Sequence, residues 1–371
     1  MHIFLVKKRK FYAILLMFAI FATATAILVN FSYSAAPVNS GFIQEVSVII
    51  EELINKRNEA VLNNDTETLS SFYNKDVRYG LWAYEHQVKK TRYLHQWAEK
   101  QGVKFTSIKT EPRIITLKEK GNGFTSYFNT TTIYEYSYED TPDITNLFRI
   151  GAEYTIEIQP HKGEWVIVRE WYSDPFADAI NPDNLENDDL KTYLLAQKQP
   201  DYSALNDRRK QAVEYADKYC GLAGTEETGY SYNKKYKNYN PLGGDCANFA
   251  SQILHEGGGF RKTYTWNYDK DGSQAWINAQ AFKSYLIYSG RGSVLAYGPY
   301  EKVFKNSFKL LPGDIVAYEE KGKVKHISVV TGSDNKGYVL VNCHNIDRYR
   351  VPWDLGWSDK NIRFWLIRVH Y

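Results

Sequence analysis

A chain of 371 residues has room for two ordinary domains, and its 43% hydrophobic and 24% charged content excludes a disordered protein. A net charge of +3, with no Lys/Arg block beyond the N-terminus, gives no basis for nucleic-acid binding. Three cysteines, Cys220, Cys246 and Cys343, exclude a disulfide scaffold and leave one bridge with one free thiol, or three free thiols.

The basic tetrad 7–10 precedes an uncharged run at 11–31, so residues 1–36 read as an export signal or a membrane anchor. Ser32-Tyr33-Ser34, followed by Ala35-Ala36, offers a cleavage site. Either outcome sets the rest of the chain outside the cytoplasm, in contact with the membrane only if the segment is uncleaved.

From 41 to 65, Val46, Ile49, Ile50, Leu53 and Ile54 recur at helical spacing, and two shorter helical pieces follow. The period then changes to that of strands: four β-rich runs at 104–120, 124–139, 148–160 and 164–173 are separated by Gly, Asn, Asp and Pro turns. Helices packed on one face of an antiparallel meander give an α+β domain over 41–176. Its Tyr and Trp residues read as core and sheet-face residues, not a ligand cage; His86 and His95 carry no assigned role. Residues 177–206 are polar and acidic, broken by Pro182 and Pro200, and read as a linker with one short helix.

The second domain, 207–371, begins with a helix. Within it, Gly243-Gly244-Asp245 is a tight turn, and Phe249, Ala250, Ile253 and Leu254 after it lie at helical spacing until Gly257-Gly258-Gly259. Cys246 therefore falls in the first helical turn, where the helix dipole and free backbone N–H groups stabilise a thiolate and an oxyanion. A lone Cys is more often a buried structural residue. Three features weigh against that here: Pro312-Gly313-Asp314 before a short strand, a strand that starts with His326, and a further strand through Asn342, Cys343 and His344. A tight hairpin at 333–336 sets positions 342–344 opposite His326. Alternation puts Asn342 and His344 on one face and Cys343 on the other. One of those two polar groups is then expected to orient His326. No Cys-x₂-Cys or His-x₃-His pair supports a metal site, and no cofactor is implied. Trp266 and Trp276 flank a polar segment between these motifs and read as walls of a substrate groove or as core; Trp353 and Trp357 stand in the same position after the last strand.

The stretches 215–221, 239–258, 311–318, 326–332 and 344–352 resemble the bacterial putative amidase domain, a papain-like group related to the NlpC-type and CHAP cell-wall peptidases. The resemblance covers 207–371. It implies a Cys helix packed on an antiparallel sheet, Cys246 as nucleophile, His326 as general base and His344 as the third member, with Asn342 the alternative. It also implies that Asn240, six residues before the cysteine, helps hold the oxyanion, with a shorter side chain than the usual Gln. Asp245 is either a substrate-amine contact or a turn and cap residue. The expected substrate is a cell-wall peptide or a related amide; the alternative is a non-catalytic wall- or peptide-binding module of the same fold. More loosely, the element order of 41–175 resembles the cone-like fold of SnoaL and nuclear transport factor, which hosts enzymes and scaffolds alike.

Overall fold

The computed structural model describes residues 40–174, 176, 188–357 and 361–371; the expected export segment 1–36 and residues 177–187 of the expected linker lie outside the described residues. No helix among the described residues is long and apolar enough to cross a membrane.

The described chain begins with helices α1 (Ser40–Leu62), α2 (Thr66–Ser71) and α3 (Arg78–Gln101). Asp65 caps α2 by accepting the Thr68 N–H. Helix α3 buries Ala83, Gln87, Lys90, Leu94, Trp97 and Gln101 along one stripe and ends at Gly102, whose φ of 65° terminates it in the left-handed conformation. An antiparallel meander follows: β1 (Val103–Lys120), β2 (Gly123–Tyr138), β3 (Thr141–His161) and β4 (Glu164–Tyr172). The stripe of α3 packs on β1 and β4.

A short helix, α4 (Asp188–Leu195), lies in the expected linker, and α5 (Asp207–Lys218) is capped by the Asn206 side chain. Then come α6 (Cys246–Gln252), which runs on into a π-helical turn at Ile253–Gly257, α7 (Gln274–Ile277), α8 (Ala279–Tyr288), β5 (Gly292–Gly298) and α9 (Tyr300–Ser307). Four further strands, β6 (Ile315–Glu320), β7 (Lys323–Ser333), β8 (Val339–Cys343) and β9 (Asp347–Pro352), precede the last, β10 (Ile362–Val369). Phe249, Ala250, Ile253 and Leu254 of the Cys246 helix pack on Ile315, Ala317, Ile327 and Val329 of the sheet. Helices on antiparallel strands make the fold α+β.

The two regions are not merely tethered. Their strands form one ten-stranded sheet, ordered β1-β2-β3-β9-β8-β7-β6-β10-β5, with β4 also on β3. The join is short: Arg149, Ile150 and Gly151 of β3 pair with Tyr349, Arg348 and Asp347 of β9. Gly151 is needed there, because a Cβ would stand 2.3 Å from the Leu222 carbonyl carbon. Buried polar contacts complete the seam. The Trp97 indole donates to Asp354 at 3.1 Å, Tyr136 and Tyr138 donate to Asp334 at 2.9 and 2.6 Å, and the Gly356 N–H donates to Tyr93 at 2.7 Å. Such groups are costly to bury unless paired, so they fix one docking geometry.

Candidate active site

The approach to Cys246 is a turn only glycine fits comfortably. Gly243 and Gly244 have φ of 112° and 136°, and a Cβ on Gly244 would stand 2.7 Å from the Asn345 side chain. Cys246 then opens α6, as the sequence predicts. Its side chain borders a cleft of about 250 Å³ with Gly243, Gly244, Gln280, Lys323 and Asn345. Burial pushes the Cys246 thiol up to about 12, while the backbone N–H groups of Ile327 and Ala247 act in the opposite direction. The Ile327 N–H belongs to the residue that follows His326, so the cysteine meets the backbone of the histidine's strand.

The His326 side chain points elsewhere. Tyr318 pairs with His326 and Ala317 with Ile327, and opposed residues share a face. Ala317 and Ile327 face the core that contains Cys246. His326 therefore projects with Tyr318 from the other face, where its ring stacks on Trp357 at 5.2 Å. Lys325 is the extra residue of a β-bulge, since Glu319 pairs with Val324. Burial and the Arg348 charge lower the His326 pKa to about 3, so the ring is neutral; its Nε2 is buried without a partner among the described residues. No hydrogen bond joins Cys246 to His326 among the described residues.

His344 does not orient His326. Its ring stacks on Phe249 at 3.7 Å, its Nδ1 lies 2.6 Å from Asp245 Oδ2 and its Nε2 lies 2.8 Å from the Tyr219 carbonyl. With an acceptor on each nitrogen, both must donate, and the ring is an imidazolium. Burial opposes that charge, but the Asp245 hydrogen bond and the charges of Asp347 and Asp245 leave the His344 pKa raised. The alternative third member, Asn342, is also committed elsewhere: it accepts from Thr331 and from the Arg350 N–H and donates to Asp217. The hairpin register explains both outcomes. Asn342 pairs with Val329, not with His326, and is the last residue of β8 paired with β7. Asn342 and His344 do share the face toward the helices, where they contact Asp217 and Phe249.

Asp245 is a buried brace and has no free oxygen for a substrate amine. Its carboxylate takes the Tyr239 N–H, the Asn248 amide and His344, and makes no cap bond to α6. Trp266 and Trp276 are 1% and 0% exposed and stack on each other at 4.6 Å. Their indoles donate to Ser251 and Asn248 of α6, so they support the Cys246 helix from behind and wall no groove. Asn240 borders a neighbouring cleft with Trp171 and Asp347, and its side-chain oxygen is buried without a partner. The three cysteines are free and buried; burial raises Cys220 to about 12 and Cys343 to about 11.

Sequence reasoning missed Asn345. Its Oδ1 accepts the backbone N–H groups of both Asp245 and Cys246, the latter at 3.1 Å, so the N–H expected to hold an oxyanion is already engaged. Its φ is 97°, a conformation Asn tolerates better than most residues, and an Asn directly after His344 was the available signal.

Two curated Bacillus subtilis proteins are similar to this part of the chain. The uncharacterized protein YhbB is 28% identical over 161 residues, 41% of this chain and 50% of that protein. The uncharacterized protein YjcM is 30% identical over 151 residues, 38% of this chain and 31% of that protein. The chain thus spans half, or less, of these relatives. Among solved structures, an NTF-2-like protein of unknown function from Shewanella oneidensis is 15% identical, with 34% of this chain and 96% of that chain covered and a TM-score of 0.20. Residues 206–367 match the model of the family described as the putative amidase domain.

Proposed function

We propose that this protein is a cysteine-dependent amide hydrolase that acts outside the cytoplasm on cell-wall peptide or a related amide. The observation that carries it is the position of Cys246: it opens a helix at the edge of a cleft, with its sulfur under the influence of the Ile327 and Ala247 N–H groups. The match to the putative amidase family supports the reaction class. The N-terminal sequence alone motivates the location and any membrane contact.

The described arrangement is a resting state, with a protonated thiol and a neutral His326. In the reaction, Cys246 attacks the amide carbonyl and His326 takes the thiol proton and passes it to the leaving amine, giving an acyl-thioenzyme that water then hydrolyses. His326 must first turn toward Cys246. The Lys325 bulge supplies a route, because moving a bulge by one residue re-aims the neighbouring side chain. His344 and Asp245 hold the helix start in place and take no part in proton transfer.

The test is release of new amino groups from purified bacterial cell-wall fragments. Wild-type protein releases them; Cys246→Ala and His326→Ala do not. The uncharged state of both groups favours a second reading, a non-catalytic binding module. Fragments that bind to the full chain with no amine release would sink the hydrolase in its favour.

A further inference from the structure

We propose that the N-terminal region carries a binding site for an acidic oligosaccharide, on the cleft between α3 and β4. The cleft is about 400 Å³, within the usual range of about 300–1,000 Å³ for ligand sites. Helix α3 supplies Tyr79, Trp82 and His86, spaced to share one face; β4 supplies Arg169 and Trp171, two apart and both exposed, and Asp174 follows its end. Tyr79, Trp82 and Trp171 are 51%, 47% and 60% exposed, although large aromatic side chains are normally mostly buried. The Tyr79 and Trp82 rings stand at 83° to each other, 5.7 Å apart.

The charges of the cleft are sorted. Its acids already have partners: Glu170 pairs with buried Arg57, and the Asp174 carboxylate is hydrogen-bonded to the His86 ring and to the Phe176 N–H. Its one lining cation, Arg169, lies 5.0 Å from the Tyr79 ring centre, and Arg78, outside the lining, holds its guanidinium 4.2 Å from the Trp82 ring centre; neither forms an ion pair among the described residues. Flat exposed rings fit the C–H face of a pyranose. His86 and Asp174 offer hydroxyl partners, and two unpaired guanidinium groups fit a carboxylate. An extended peptide fits less well. Strand addition needs a free backbone edge, and at the middle of β4 the Ile167 N–H and C=O are already taken by Phe72 and Asn74.

The site connects to the cysteine cleft through one intervening cleft. Trp171 also lines the neighbouring cleft that holds Asn240 and Asn345, and Asn345 lines the Cys246 cleft. Three clefts thus share walls in series. A sugar chain seated on Trp171 would present an amide-linked substituent toward Cys246. This last step rests on the hydrolase reading; the sugar site does not.

The test uses the full chain carrying Cys246→Ala, so that nothing is turned over. It is titrated with a hyaluronan tetrasaccharide, with tetra-N-acetylchitotetraose as the neutral sugar and with tetraglutamate as the acidic peptide, read by tryptophan fluorescence and calorimetry. The acidic sugar binds saturably. Trp171→Ala and Trp82→Ala each weaken it about tenfold, and Arg169→Gln weakens it while leaving the neutral sugar unchanged. No saturable sugar binding, binding that survives both tryptophan substitutions, or preference for tetraglutamate would overturn the sugar site. Indifference to Arg169→Gln would overturn its acidic specificity. Failure of amine release with sugar binding intact would overturn the hydrolase reading alone.

Discussion

Each half of the molecule carries a pair of tryptophans near its candidate site, and the two pairs are used in opposite ways. In the C-terminal region Trp266 and Trp276 are buried behind the Cys246 helix, each indole N–H satisfied by that helix. In the N-terminal region Trp82 and Trp171 stand 47% and 60% exposed around a cleft. The sequence leaves Trp266 and Trp276 as groove walls or core, and reads the aromatic residues of the N-terminal region as core and sheet-face residues. What decides is which face of the element is left uncovered, and only tertiary packing fixes that.

The largest effect that tests this contrast is stability. Trp276→Ala removes a fully buried ring and is expected to cost about 3–5 kcal/mol, whereas Trp171→Ala stays within about 0.5 kcal/mol. Urea denaturation of both variants checks it, and similar losses would erase the distinction. Next in size is the buried ion pair beside the cysteine. His344→Ala leaves Asp245 buried without its partner, for an expected loss of about 3 kcal/mol. The same change should leave the N-terminal cleft able to bind whatever it binds.

The seam between the regions comes third. Gly151→Ala forces a Cβ against Leu222, and overpacking of this kind costs about 1–3 kcal/mol. If the regions are coupled through the shared sheet, both should lose stability together in hydrogen exchange; loss confined to one side would show the join to be weak.

The smallest effects concern pH, where two histidines of one region act in opposite senses. His326 falls from its ordinary 6.5 to about 3. Between those values the unfolded chain binds a proton that the folded chain does not, so stability falls as pH drops through that window. His344 is raised above 6.5. Its contribution is full below that value and is lost as pH rises through the folded value. His326→Phe should flatten the acid limb of a stability–pH curve and leave the other limb unchanged. A thiol held near 12 should also alkylate slowly at neutral pH in the free protein, with a rate that keeps rising into the alkaline range. A plateau near neutrality would mean a preformed thiolate–imidazolium pair.

Local signals carried much of the fold. The apolar spacing of 41–65 gives α1, turn residues bound β1 to β4, and Gly243-Gly244 before an apolar helix gives the Cys246 turn. Pairing of distant segments was less legible. One extra residue, Lys325, decides which face His326 takes, and nothing in the regular pattern of that strand marks it. The hairpin was expected to set 342–344 opposite His326. With Asn342 opposite Val329, the hairpin leaves His326 without a partner on β8, and Asn345, in the turn after β8, is the residue that clamps the Cys246 backbone. The short β3–β9 join has no local signature, because the linker between the regions gives no hint that their sheets meet edge to edge.

The proposed reaction stands on Cys246 as the nucleophile. Its most direct test is mass spectrometry of the protein quenched in acid during turnover of cell-wall fragments. A hydroxylamine-sensitive acyl adduct is expected on the peptide that contains Cys246, and none in His326→Ala. Amine release with Cys246 never modified, or release that persists in Cys246→Ala, would contradict it.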